Sequence, residues 1–131
     1  MDRNVFRALL VAGVLLMAIP VSAHHAASAS YDTNDASQVT LTGVIAEVRL
    51  TNPHSWFYVD VTDASGKVTR WGFEAAIPAT LLRRGYKRDT LKPGDKVIVK
   101  AAPARDKSAK MGALDTISMA DGKLVYGGAL D

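Results

Sequence analysis

A mostly alternating order of apolar and polar residues begins at Val39. It runs through Thr40-Leu41-Thr42-Gly43-Val44-Ile45-Ala46-Glu47-Val48, which predicts a long strand. The interior Gly43 predicts a bulge that lets this strand bend and serve two halves of a barrel. Thr51-Asn52-Pro53-His54 reads as a turn, Ser55 to Thr62 as a second alternating strand, and Asp63-Ala64-Ser65-Gly66 as a hairpin turn. Lys67 to Ala75 follows as a third strand carrying Trp71 and Phe73. From Ile77-Pro78 the period changes. Pro78 suits a first helical turn, and Ala79, Leu81 and Leu82 continue to a stop at Gly85, a helix of barely two turns placed to cap one end of the barrel. Leu91-Lys92-Pro93-Gly94-Asp95 is a turn that launches a fourth strand, Lys96 to Ala102. Beyond a basic loop from Arg105 to Met111, a fifth strand runs from Gly112 to Met119, and Asp121-Gly122-Lys123 turns the chain toward Leu124-Val125-Tyr126.

The order β-β-β-α-β-β, in an all-β domain of residues 38–131 with one short helix, is that of a small five-stranded OB-like barrel. A β-sandwich is the alternative, but it normally takes seven strands and no central helix. Ahead of the barrel, residues 24–37 are rich in Ala, Ser, Asp, Asn and Thr, with Tyr31 as the one bulky group. That composition predicts a flexible, extended or mobile arm. Residues 1–23 read as a signal peptide. Arg3 and Arg7 flank an apolar run from Ala8 to Ile19, and Pro20 breaks it before Val21-Ser22-Ala23, with small residues at both positions that specify cleavage. The apolar run is shorter than the roughly 20 residues a bilayer span needs. Cleavage after Ala23 makes His24 the first mature residue; a second Ala-x-Ala match, Ala27-Ser28-Ala29, lies farther from the apolar run than such sites usually sit. No second apolar stretch follows, so no stable membrane insertion is expected after cleavage, and the expected location is the bacterial periplasm or the exterior.

Composition narrows the chemistry. Sixteen Lys and Arg stand against thirteen Asp and Glu, for a net charge of +3, and losing Asp2, Arg3 and Arg7 with the leader makes it +2. This mild basicity is no nucleic-acid footprint, and export also argues against a nucleic-acid partner. The chain has no Cys, which excludes a disulfide scaffold, a thiolate zinc site, an iron–sulfur centre and a cysteine nucleophile. Its three histidines are His24 and His25 at the expected new terminus and His54 in the loop between the first two strands. An amino-terminal His can bind a metal through amine and imidazole, and a second-position His through amine, backbone amide and imidazole; both suit Cu(II), which favours nitrogen donors in a square plane. The arm is long enough to bring His24 and His25 to His54. Spacing alone leaves a plainer reading open, in which the terminal pair is incidental and the His54 ring bonds nearby backbone.

Other residues suggest less. Pro53 biases Asn52 to extended angles, and the Asn side chain can close an Asx-type turn. Of Trp56 and Phe57, one ring points into the barrel and one outward; Trp71, on the next strand, is expected to pack in the core. An exposed aromatic beside His54, with Asn52 and with Arg105, Lys107 and Lys110 of the loop between strands four and five, would make a ligand face for an anion or a sugar. Glu47, Asp60 and Glu74 lie on three different strands, as solvent-facing carboxylates do, and Ser55 lacks a nucleophile-elbow context, so no catalytic constellation is recognisable. Arg83, Arg84, Lys87 and Arg88 read as a solvated face near the helix end, where cations favour the dipole.

In several of these features the chain resembles a family of small exported bacterial proteins known only as a domain of unknown function. The shared features are the His24-His25 start, the Val39 to Gly43 strand, the Thr51-Asn52-Pro53-His54 turn and Trp71 with Glu74. They continue with Leu82-Arg83-Arg84-Gly85, Leu91-Lys92-Pro93-Gly94-Asp95 and the closing Ala120-Asp121-Gly122-Lys123. The resemblance covers nearly the whole mature chain and implies an OB-like barrel in the periplasm, with no established activity. The chain departs from the pattern at Ala26-Ala27, where the family often has Ser and an aromatic. The expectation is a periplasmic binding protein, not an enzyme, that holds copper through His24, His25 and His54. The alternative is an envelope interaction module that binds a protein or glycan on the barrel face around Asn52, Trp56, Arg105 and Lys107.

Overall fold

The computed structural model describes residues 29–128. The expected signal peptide, its cleavage site, His24 and His25 lie outside the described residues. Six strands and a helix follow one another as β1 (Val39–Arg49), β2 (Ser55–Thr62), β3 (Val68–Ala75), α1 (Pro78–Arg83), β4 (Lys96–Pro103), β5 (Met111–Met119) and β6 (Leu124–Gly127). The sheet order is β3-β2-β1-β4-β5-β6, and a parallel pairing of β3 with β5 through Gly72↔Met111, Phe73↔Gly112 and Glu74↔Ala113 closes the first five strands into a barrel. β6 extends the sheet beyond β5 as a short antiparallel strand. No helix among the described residues is long and apolar enough to cross a membrane.

Alternation places Phe57, Val59, Phe73, Val97, Val99, Leu114 and Ile117 inside the barrel. The helix contributes Leu81, and the chain just after it contributes Tyr86, whose ring meets Phe57 edge-on at 5.6 Å. Pro78 at the start of α1 and Gly85 with φ +96° just after it bound the helix at both ends, as its sequence predicts. β1 does serve both halves of the barrel: Val39 to Val44 pairs with β4, and Val44 to Arg49 with β2. The register shift, however, falls between Ile45 and Glu47, not at Gly43. Gly43 answers a different need. A Cβ there would lie 2.5 Å from the Asp60 carbonyl oxygen and 2.6 Å from Val59 Cγ1, so the absent side chain lets β1 cross close over β2.

The segment before β1 also differs from a freely moving arm. Tyr31 is only 4% exposed, and its ring sits on Ala102, Ala104 and Ala113. Backbone bonds from Asp32 N–H to the Pro103 carbonyl (2.8 Å) and from Arg105 N–H to the Ser30 carbonyl (3.0 Å) hold it beside β4. A short 3-10 turn, Asp35–Ser37, capped by the Asn34 side chain, then leads into β1. Small side chains at the β4–β5 end leave a seat that a single aromatic ring fills. That local fit outweighs the polar composition of the segment.

Candidate functional site

The outer face of the barrel can be built row by row from strand register. Trp56 lies between Arg49 on β1 and Glu74 on β3, and Glu74 is paired in turn with Ala113 on β5. The next row is Glu47, Tyr58, Gly72 and Met111, and beyond it Asp60 faces Arg70. Since side chains alternate across a strand, these groups share the outer surface while Phe57 and Phe73 point inward. Trp56 is thus the outward ring of its pair, as the alternation predicts. Trp71 falls on the inner side, partly buried against the core and stacked on Phe73 at 6.1 Å.

The first row carries an unforeseen constellation. Glu74, with a side chain only 14% exposed, takes His54 Nδ1 on one carboxylate oxygen and the Tyr31 hydroxyl on the other. Three parts of the chain meet here: the segment before β1, the β1–β2 loop and β3. The His54 side chain is 46% exposed, and with Nδ1 taken by Glu74, Nε2 is the ring nitrogen left to meet a further ligand. A ring fixed through Nδ1 with Nε2 outward is the arrangement that a carboxylate imposes on metal-binding imidazoles. Burial first, then the hydrogen bond and charge of Glu74, push the Tyr31 phenol far above its ordinary value. A raised phenol stabilises the fold below about pH 10, where an unfolded tyrosine is still neutral, and that contribution is lost as the pH rises further. Burial also pushes the Tyr86 phenol up, so spectrophotometric titration of the four tyrosines is expected to show late ionisation from Tyr31 and Tyr86, with the Tyr31 contribution missing in Tyr31→Phe.

The residues singled out from the sequence are only partly brought together. Asn52 is exposed and joined to Pro53 by a cis peptide; the bond that closes the loop is from the Thr51 hydroxyl to the His54 carbonyl, 3.2 Å, not from Asn52. Trp56 lines a shallow groove with Tyr58, Arg70, Gly72, Lys110 and Met111. Arg105 and Lys107 lie instead near Asp32, whose carboxyl is held below its usual range by the Ser37 hydroxyl first and by their charges in addition. Lys110 is the member of the basic loop that lines the groove, while its ammonium lies 5.5 Å over the ring of Trp71, which faces the other side of the sheet. Glu47 and Asp60 are each paired with an arginine, at 2.9 Å to Arg49 and 2.8 Å to Arg70. Among the described residues, no group of three or more His, Asp or Glu side chains is placed to hold a metal ion.

Five strands closed through β3 and β5, with a helix between β3 and β4, define a small OB-like barrel. The chain belongs to a family of unknown function, DUF6152, whose model matches residues 11–113. No curated protein matches it. Among solved structures it is similar to the mitochondrial single-stranded DNA binding protein Rim1 of S. cerevisiae, with 16% identity, 70% of this chain and 97% of that one covered, and a TM-score of 0.47. So distant a likeness carries no argument about a ligand.

Proposed function

We propose that this is an exported, periplasmic binding protein that holds one Cu(II) through the mature terminal amine, His24, His25 and His54. The observation that carries the reading is the clamp on His54: Glu74 occupies Nδ1 and leaves Nε2 outward. The docking of Tyr31 adds support. Tyr31 bonds the same carboxylate as His54, and only six residues lie between it and His24, at most about 23 Å of chain. The fixed loop imidazole supplies one nitrogen, and the tethered terminus supplies the others. Nitrogen donors in this number suit Cu(II). No thiolate competes, because the chain has no Cys.

The terminal amine is the part of this reading easiest to remove. Protein purified from periplasm and beginning at His24 is expected to bind one Cu(II) in calorimetry. Selective acetylation of the His24 amine is expected to weaken binding at least tenfold, since it removes the amine from its chelate ring. Equal affinity in the two proteins would overturn the terminal part of the site.

A further inference from the structure

The net charge of the molecule is concentrated in one stretch. From Pro78 to Asp95 the chain carries five Lys and Arg against two Asp, whereas the other described residues carry nine of each sign. On the barrel wall opposite charges meet: Arg49 bonds Glu47, Arg70 bonds Asp60, and Lys100 lies 3.5 Å from Asp115. Lys87, Arg88 and Lys92, with Lys123 between β5 and β6, are exposed and make no ion pair among the described residues. The backbone that presents them is held in place. Tyr86 and Leu91, 2% and 3% exposed, anchor it in the core on either side of a turn closed by the Thr90 N–H on the Lys87 carbonyl at 3.0 Å. Gly85, Lys87 and Thr90 then line a groove with Lys123, Leu124 and Val125, and Leu124 is 59% exposed. We propose that this surface docks on the anionic headgroups of a phospholipid bilayer, with Lys87 and Lys123 on lipid phosphates and Leu124 among the upper ends of the acyl chains. The docking needs no copper.

Charge and the kind of apolar group beside it choose the lipid surface. Each unpaired Lys or Arg near an anionic bilayer adds its own attraction, which salt screens. An exposed aliphatic side chain among cations suits the boundary between headgroups and acyl chains. A nucleic acid strand wants rings on which its bases stack, and the rings at this end, Tyr86 and Tyr126, are buried. With a single exposed leucine and a few lysines, the contact is peripheral and reversible, and the chain lies on the membrane without spanning it.

Co-sedimentation of the purified mature protein with vesicles, in EDTA so that no metal takes part, tests this surface. Vesicles of phosphatidylcholine with phosphatidylglycerol are expected to bind it about tenfold or more tightly than phosphatidylcholine alone, and added salt should release it. Lys87→Glu should weaken binding by about tenfold or more, whereas Lys67→Glu, the same change in net charge at the β2–β3 turn, should weaken it by less than about twofold. Leu124→Ser should weaken it by about threefold or more while the circular dichroism stays that of the wild type. Equal binding to the two kinds of vesicle, equal losses from Lys87→Glu and Lys67→Glu, or undiminished binding by Leu124→Ser would each overturn the proposal. So would binding of soluble polyglutamate as tight as that of the anionic vesicles, which would make the partner an acidic protein chain.

Discussion

Replacing Glu74 with glutamine is expected to lower Cu(II) affinity by about 10- to 100-fold, the usual cost of losing the partner that orients a metal-binding histidine. The carboxylate serves two donors at once, Tyr31 on one oxygen and His54 on the other. An amide has one acceptor oxygen and one NH2 group, so it can accept from only one of them and turns a donor toward the other. The His54 ring then loses its anchor or Tyr31 loses its acceptor. The double variant Tyr31→Phe, Glu74→Gln separates these outcomes. With the phenol gone, the amide oxygen is free to accept from His54 Nδ1, and part of the affinity should return. Calorimetry on the three proteins checks this, and an affinity for Glu74→Gln equal to the wild type would show that the clamp does not prepare a metal ligand.

The largest expected effect on stability is at Gly43. Alanine there brings a Cβ to 2.5 Å from a backbone oxygen of β2, and Val59 Cγ1 is as close on the same side. No flexible side-chain end is available to move away, so β1 and β2 must part where Val44 pairs with Asp60. Overpacking of this kind costs about 2–3 kcal/mol, which in a domain of this size lowers Tm by about 10–20 °C. Gly66→Ala is the control. It lies in the β2–β3 turn with φ +86° and nothing within 4 Å of the added Cβ, so only the left-handed backbone penalty of about 1 kcal/mol applies. Thermal unfolding by circular dichroism should separate the two variants clearly. A Gly43→Ala protein that melts within about 2 °C of the wild type would contradict the close-crossing account.

These two positions also show what a sequence displays and what it hides. Alternation along Ser55 to Thr62 makes β2 legible, because the inward Phe57, Val59 and Val61 are apolar, with Ser55 the polar exception, and each turn carries its own polar punctuation. At Gly43 the same signal is ambiguous: an isolated strand glycine serves a bulge or a close approach equally well, and only the position of β2 decides. Glu74 reads as a solvent-facing carboxylate because its partners are far away in the chain, Tyr31 by 43 residues. Tyr31 was the one available signal, a lone aromatic in a segment of small polar residues. Its seat, made by Ala102, Ala104 and Ala113, consists of residues that carry no pattern of their own. Gly72 and Met111 were hidden for the same reason, since the parallel β3–β5 closure that pairs them leaves no local trace.

The most direct test of the central claim is electron paramagnetic resonance during Cu(II) titration of the mature protein and of its His54→Ala variant, with intact mass confirming that both begin at His24. The account predicts a one-to-one, nitrogen-rich signal in the wild type that is lost or replaced by a weaker terminal chelate when His54 is removed. An identical signal of identical strength in the variant would mean that the clamped imidazole takes no part in binding copper.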